Sequence, residues 1–222
     1  MELDRKPFQR TFSQSNYFPR TIKRLADVIF SLTVLLLGSP VFLLIALLVK
    51  LSSVGPTFYI QQRVGRNRSS FGCIKFRTMH PEAEDILLNL LETNSLFKEE
   101  FERDHKVRND PRITPIGKFL RKYSLDELPQ FINVLRGEMS VVGPRPIVLE
   151  EVGRYGESMN EVNSVRPGIT GLWQVSGRNN LSYRRRVSLD LNYVRRRNLL
   201  MDFRIIIRTF FVLLLPMDRG AF

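Results

Sequence analysis

The sequence predicts an α+β protein, mostly helical, that holds to one side of a membrane through a re-entrant N-terminal helical hairpin and interfacial amphipathic helices. Three observations predict it. An uncharged run of 22 residues, 28–49, is interrupted at its centre by Gly38-Ser39-Pro40. Helical spacing of apolar residues recurs through the rest of the chain, around one stretch of strand-like composition. Near the C-terminus, residues 201–215 read MDFRIIIRTFFVLLL, large apolar residues with charges set among them.

The first apolar run is long enough to cross a bilayer core of ~30 Å as one helix. No small-residue cleavage pattern follows it, as a secretory signal would require. Its flanks argue against a simple crossing. Residues 1–24 carry six basic and two acidic side chains, and residues 50–80 carry six basic and none acidic. Positive charge favours the cytoplasmic side, so both flanks belong there. A hairpin satisfies both. Pro40 lacks a backbone donor and clashes with the preceding turn, and Ser39 can bond a carbonyl that the break frees where no water is at hand. The eleven residues 28–38 reach roughly 16 Å at 1.5 Å per residue, about half a bilayer. A transmembrane helix with a proline kink is the alternative.

Residues 56–79 mix β-branched, aromatic and glycine residues and read as short strands or loops. Residues 82–104 read as a helix, with Ile86, Leu87, Leu90 and Leu91 on one face and acids early. A loop at 109–111 and a basic stretch lead to a helix carrying Phe131, Ile132, Val134 and Leu135, closed by Gly137. Gly/Pro-rich segments occupy 143–146 and 166–171. Residues 205–215 are too short to span and contain Arg208, which suits a helix lying in the interface plane; a terminal helix packed on a soluble core is the alternative. The organisation expected is a tail at 1–18, a re-entrant membrane helix at 19–55, and one compact catalytic domain at 56–222 ending in that amphipathic helix.

Charge and composition narrow the chemistry. The 222 residues hold 34 Lys+Arg against 22 Asp+Glu, a formal net charge of +12. That excess suits nucleic acid, an anionic membrane surface or phosphorylated substrates. The triple-arginine runs at 184–186 and 195–197 suit anionic headgroups if the protein is membrane-bound. One cysteine, Cys73, excludes an internal disulfide, and two histidines make a Cys/His zinc site improbable. Any metal should be a hard cation held by carboxylates.

The most suggestive constellation is RKYSLDELPQ, residues 121–130. A proline is tolerated in the first turn of a helix, so Pro129 places a helix start near Ser124 to Asp126, with Asp126 and Glu127 adjacent at it. Helix N-termini favour ionised carboxylates and bound phosphate alike. An ionised Asp126 is a competent nucleophile toward phosphorus, Glu127 can hold Mg²⁺, and Arg121 can offset phosphoryl charge. The plainer reading is a capping box, Ser124-x-x-Glu127, in which both side chains only satisfy backbone donors. Arg145, between Pro144 and Pro146, and Arg178, after Gly177, are either anion ligands or solvated surface residues. Lys75 and Arg77 alternate with apolar residues as on a half-buried strand and could both face solvent.

Taken together, Lys23-Arg24, Asp27, Ser39-Pro40, KFRTM, SLDELPQ, GEMSVVGPRP and RPGITGLWQVSGR occur in one order. This series resembles the bacterial sugar transferase family, the monotopic polyprenyl-phosphate phosphoglycosyl transferases, from about Pro19 to the C-terminus. The resemblance implies that Ser39-Pro40 breaks a re-entrant membrane helix and that Asp126 attacks the sugar-bearing phosphorus of a UDP-sugar. UMP would leave, and the phosphate of an undecaprenyl (polyprenyl) lipid would displace the phosphosugar from the enzyme. It further implies that Glu127 is associated with Mg²⁺ and Arg121 with the active site, and that Arg145 and Arg178 line the phosphate and nucleotide site. Lys75, Arg112, Arg145 and Arg178 are the candidates for substrate binding. The place implied is the cytoplasmic face of a bacterial inner membrane, among membrane lipid, and the role is initiation of O-antigen, capsule or exopolysaccharide synthesis; an oligomer is compatible with all of this. Larger members carry transmembrane helices and a further domain ahead of this unit. This chain has neither and reads as a minimal enzyme or as the catalytic part of a larger one.

Two other function classes stay in view. A basic membrane-anchored binding protein would bind without turnover, but for a nucleic-acid partner KFR offers a single aromatic among basic residues, and none is expected. An ordinary glycosyltransferase would release UDP instead of UMP.

Overall fold

A computed structural model describes residues 20–104, 107, 110–177 and 180–214. Two helices open it, α1 (Arg20–Leu37) and α2 (Ser39–Ser52), bent by 65° at Gly38. The bend follows from local chemistry. Pro40 has no N–H for the carbonyl of Leu36, and the Ser39 hydroxyl donates to that same oxygen at 2.8 Å. A Cβ on Gly38 would lie 2.5 Å from the Val34 carbonyl oxygen, so the turn admits no side chain there. Leu36, Leu37, Leu43 and Leu51 are all exposed. Among the described residues no single helix is long and apolar enough to cross a membrane, though this bent pair passes the test of length and composition together.

Next comes the antiparallel hairpin β1 (Phe58–Val64) and β2 (Ser70–Phe76), in register from Phe58 opposite Phe76 to Val64 opposite Ser70. Phe42 of α2 joins Phe58 and Phe76 in an aromatic cluster, 4.8 Å from Phe76, which seats the β-hairpin on α2. The helix expected over 82–104 is instead two, α3 (Ala83–Thr93) and α4 (Ser95–Asp104). Asn94 breaks it in an extended conformation, and its side-chain oxygen accepts from Phe97 N at 3.0 Å.

Helix α5 (Pro115–Lys122), a 3₁₀ turn at Leu125–Glu127, and α6 (Gln130–Arg136) follow, with α6 closed by Gly137 at φ 83°. A short parallel pair, β3 (Ser140–Val142) and β4 (Gly168–Thr170), brackets α7 (Val152–Tyr155) and α8 (Ser158–Val162). Two longer helices end the described chain, α9 (Tyr183–Arg196) and α10 (Leu199–Leu214). The main core packs Phe71 and Cys73 of β2 with Phe131, Val134, Val141, Tyr193 and Ile205. On α10, Leu200, Phe203, Ile207, Phe210 and Leu214 fall three and four apart, and all are exposed. This apolar stripe is uncovered among the described residues, while Met201, Ile205 and Ile206 of the same helix pack on the core.

Asp27, in the middle of α1, ties the hairpin to the rest. It is buried, receives Lys23 Nζ at 2.8 Å, and accepts Ser140 Oγ at 2.8 Å and Val141 N at 3.1 Å. Lys23 also reaches Asp202 of α10 at 2.9 Å. One network thereby holds α1, β3 and α10 together. Asp27→Ala strands the buried Val141 N–H, leaves the Ser140 hydroxyl only the Val142 carbonyl at 2.9 Å, and removes half of the lysine's counter-charge, an expected cost of ~3 kcal/mol. The thermal midpoint in detergent should fall by roughly 10 °C, and an unchanged midpoint would remove this network from the account.

Candidate active site

Asp126 and Glu127 sit on the 3₁₀ turn, and the turn is not a capped helix start. Ser124 lies in the left-handed region at φ 55° and its side chain makes no capping bond. The Ser124–Glu127 capping box is therefore not formed, and α6 begins only after Pro129. A left-handed, non-glycine Ser124 is a strained position of the kind found at functional sites. It redirects the chain so that Asp126 is buried and Glu127 turns toward β2. There Lys75 Nζ meets Glu127 Oε1 at 2.9 Å.

This corrects the expectation that Lys75 and Arg77 both face solvent. Lys75 is half-buried against Glu127, and Arg77 is 7 % exposed, its guanidinium donating to the Ser53 carbonyl at 2.7 Å and to the Val54 carbonyl at 3.1 Å. Alternation along β2 is real, but both faces of the strand are covered. Arg121, in the last turn of α5, is fixed by its Nε donating to Thr78 Oγ1 at 2.9 Å. Gly117 makes that approach feasible, because a Cβ there would lie 2.0 Å from the Thr78 carbonyl oxygen.

Lys75, Arg112, Arg121, Asp126, Glu127 and Arg145 all line one cleft of about 1140 Å³. Arg145 is held against the Trp173 ring at 5.8 Å, and Arg186 approaches the same ring at 5.1 Å. Arg112 stands in the cleft wall, but its guanidinium chelates the Asp110 carboxylate at 2.7 and 2.9 Å; its charge is largely neutralised and it stiffens the wall. Arg178 lies outside the described residues. Sequence reasoning missed Arg63, which donates to the Pro146 carbonyl at 3.2 Å and so braces the loop that carries Arg145. It also missed Trp173 and Gln174. Both fall within the stretch RPGITGLWQVSGR, just past the Gly/Pro-rich segment 166–171.

The same cleft is also lined by apolar residues of α1 and α10, the helices with exposed faces. They include Phe30 and Val34 of α1 and Ile206, Phe210 and Leu213 of α10. A charged or phosphorylated head can therefore meet the carboxylates while an attached hydrocarbon chain rests on these helices.

The two carboxylates are driven apart electrostatically. Burial and then the charge of Glu127 push Asp126 above the ordinary carboxylate range, against the pull of Lys75 and Arg121. Burial also works to raise Glu127, but Lys75, Arg145 and Arg63 outweigh it and hold this carboxyl below the ordinary range. The first proton to reach the pair therefore goes to Asp126, and Glu127 stays ionised. Divergent acidities in one cleft mark a site built for reaction, with distinct roles for two like groups.

The sequence model of a family described as "Bacterial sugar transferase" matches residues 18–216. The chain is 48% identical over 187 residues to the exopolysaccharide production protein ExoY of Rhizobium meliloti, covering 84% of this chain and 83% of that one. It is 46% identical over 191 residues to an undecaprenyl-phosphate galactose phosphotransferase of Salmonella typhimurium, with 86% of this chain and 40% of the relative covered. To the UDP-glucose:undecaprenyl-phosphate glucose-1-phosphate transferase of Escherichia coli it is 38% identical over 200 residues, 86% of this chain and 40% of that protein. The chain thus spans about two fifths of the length of the last two relatives and most of the first.

Proposed function

The chain belongs to the bacterial sugar transferase family, and from that premise we propose that it transfers a hexose-1-phosphate from a UDP-sugar to undecaprenyl phosphate, releases UMP and initiates cell-surface polysaccharide synthesis. The observation that carries this reading is the mixed lining of the cleft. Asp126 and Glu127 share their cleft with the cationic side chains Lys75, Arg121 and Arg145 and with apolar residues of α1 and α10. A soluble nucleotide-sugar needs the cationic group and a lipid phosphate needs both.

Asp126 is the nucleophile in this reading. Its carboxylate oxygen attacks the sugar-bearing phosphorus, the bond from that phosphorus to the UMP oxygen breaks, and a phosphosugar remains on Asp126 as a mixed anhydride. An oxygen of the lipid phosphate then attacks the same phosphorus and frees the carboxylate, giving a polyprenyl-diphosphate-sugar. Arg121 and Arg145 supply fixed positive charge where phosphoryl oxygens crowd. Elevated basicity in a buried Asp126 makes it a stronger nucleophile once ionised.

Mg²⁺ fits the residues in one particular way. Among the described residues no three His, Cys, Asp or Glu side chains are grouped so as to hold a metal ion between them. Mg²⁺ commonly takes one or two carboxylates and completes its shell with water and substrate phosphates, and Glu127, held ionised, is the side chain suited to it, with Asp126 adjacent. When bound, the ion would neutralise charge on the diphosphate of the UDP-sugar and on the departing UMP. Product analysis tests the reaction: a panel of UDP-sugars with a short polyprenyl phosphate should release UMP with at least one sugar. Release of UDP would mean glycosyl transfer without the phosphate.

Placement on the cytoplasmic face of an inner membrane, with α1 and α2 entering and leaving on the same side, belongs to the same proposal. The exposed leucines around a 65° bend support it. Single cysteines at Thr21 and Val54 should label from the same, cytoplasmic side. Burial pushes the Cys73 thiol up and shields it, so the background is low. Labelling from opposite sides would establish a spanning helix and refute the hairpin.

A further inference from the structure

A second pocket, of about 90 Å³, lies away from the carboxylates. Strand β3 stands between the two cavities. Ser140 and Val142 line the small one, while Val141, whose side chain points the opposite way, lines the large cleft. Five basic residues, Arg20, Lys23, Arg66, Arg166 and Arg197, and two carboxylates, Asp27 and Asp202, surround the small pocket. Both carboxylates are engaged with Lys23, and no further acid lines the cavity beside Arg20, Arg66 and Arg166.

Several features hold this arrangement in place. Arg66 has its Nε buried without a hydrogen-bond partner. The two residues after it, Asn67 and Arg68, are both left-handed non-glycines, at φ 54° and 62°, a conformation that side chains avoid. Asn67 N donates to the Asn163 carbonyl at 2.7 Å, and Arg68 donates to Asn160 Oδ1 at 2.7 Å, so the β1–β2 turn is clamped onto the segment leading to Arg166. Arg166 Nε is anchored on the Gly137 carbonyl at 2.6 Å. Burial and the like charge of Arg24 disfavour its cation. Such convergence of guanidinium groups calls for an anion, and guanidinium forks suit phosphate oxygens.

Location selects the anion. The pocket opens where α1 and α10 begin, at Arg20 and Leu199, and the next turns of those helices expose Ile22, Leu25, Leu200 and Phe203. We propose that this pocket binds the phosphodiester headgroup of an anionic membrane phospholipid, with the acyl chains along the exposed faces of α1 and α10. It is a structural lipid site, separate from the cleft that holds Asp126. The inference goes beyond the proposed reaction, since lipid binding here requires no turnover and turnover without it would leave the proposed reaction standing.

The test uses the full chain in a neutral detergent, titrated with phosphatidylglycerol, phosphatidylcholine or inorganic phosphate, and reads bound lipid by native mass spectrometry together with the thermal midpoint. Phosphatidylglycerol should be retained and raise the midpoint. The double variant R66Q/R166Q should weaken retention roughly 30-fold, about fivefold per arginine removed near an anionic lipid. R184Q/R185Q removes the same charge from exposed positions on α9 and should retain lipid as the parent does. Because Arg166 also anchors Gly137, R20Q, at an exposed position, serves as a second variant and should weaken retention by about fivefold. Equal losses in the R66Q/R166Q and R184Q/R185Q variants would reduce the effect to general surface charge and overturn the site. So would undiminished retention in R66Q/R166Q and R20Q, or equal protection by phosphatidylcholine. Protection by inorganic phosphate alone would make the pocket a free-anion site and overturn the lipid assignment.

Discussion

Asp126→Asn should yield a folded protein whose turnover is at least ~10³-fold slower, a loss of the size seen when a covalent nucleophile is removed. Shape is preserved in this substitution, the turn at Leu125–Glu127 keeps its backbone bonds Glu127 N to Ser124 O and Leu128 N to Leu125 O, and Asn retains an acceptor for the backbone N–H that the Asp126 carboxylate receives. The thermal midpoint should therefore stay near that of the parent, or rise, since burial disfavours the Asp126 anion. Steady-state rates and a melting curve on the same preparation separate the two roles. A large fall in both would make Asp126 a structural residue, and a modest fall in rate alone would make it an accessory one.

Glu127→Gln should cost about two orders of magnitude, the scale of losing one preorganised electrostatic group, with a distinct signature. In the parent, Glu127 is ionised and held by Lys75 at 2.9 Å. Gln keeps a hydrogen-bond acceptor for Lys75 but loses the charge that a divalent cation needs. The concentration of Mg²⁺ giving half-maximal rate should therefore rise steeply, and part of the activity should return at high Mg²⁺. A rate reduced by the same factor at every Mg²⁺ concentration would place Glu127 outside the metal's reach.

The parts of this site that were legible in the sequence are those whose physics is local. Gly38-Ser39-Pro40 announced the break, and Ser39 does bond the carbonyl that Pro40 leaves unserved. The neighbouring carboxylates and the closure of α6 at Gly137 were visible for the same reason. The capping box was misread because Ser124 takes a left-handed conformation, a choice set by where Leu125 and Leu128 must pack and not by the four residues of the motif. For Lys75 strand alternation left solvent open beside substrate binding, because it cannot reveal that the 3₁₀ turn, 52 residues away, covers its face. The bracing of Arg145 by Arg63, 83 residues from Pro146, and the bonds from Ser140 and Val141 to Asp27, 113 and 114 residues away, are equally invisible to spacing. Long-range partners of buried charges were the missing layer, and they show which basic residues, like Arg77, are tied into the frame.

The central claim is covalent transfer through Asp126, and one measurement meets it directly. The full chain is incubated with labelled UDP-sugar and Mg²⁺ without any lipid acceptor, quenched, digested and analysed by mass spectrometry. The account predicts a phosphosugar on the peptide containing Asp126, formed with release of UMP, discharged on addition of polyprenyl phosphate and absent from Asp126→Asn. Robust turnover with no adduct at any quench time, accompanied by kinetics that require both substrates bound together, would contradict it and leave direct transfer between the two phosphates as the mechanism.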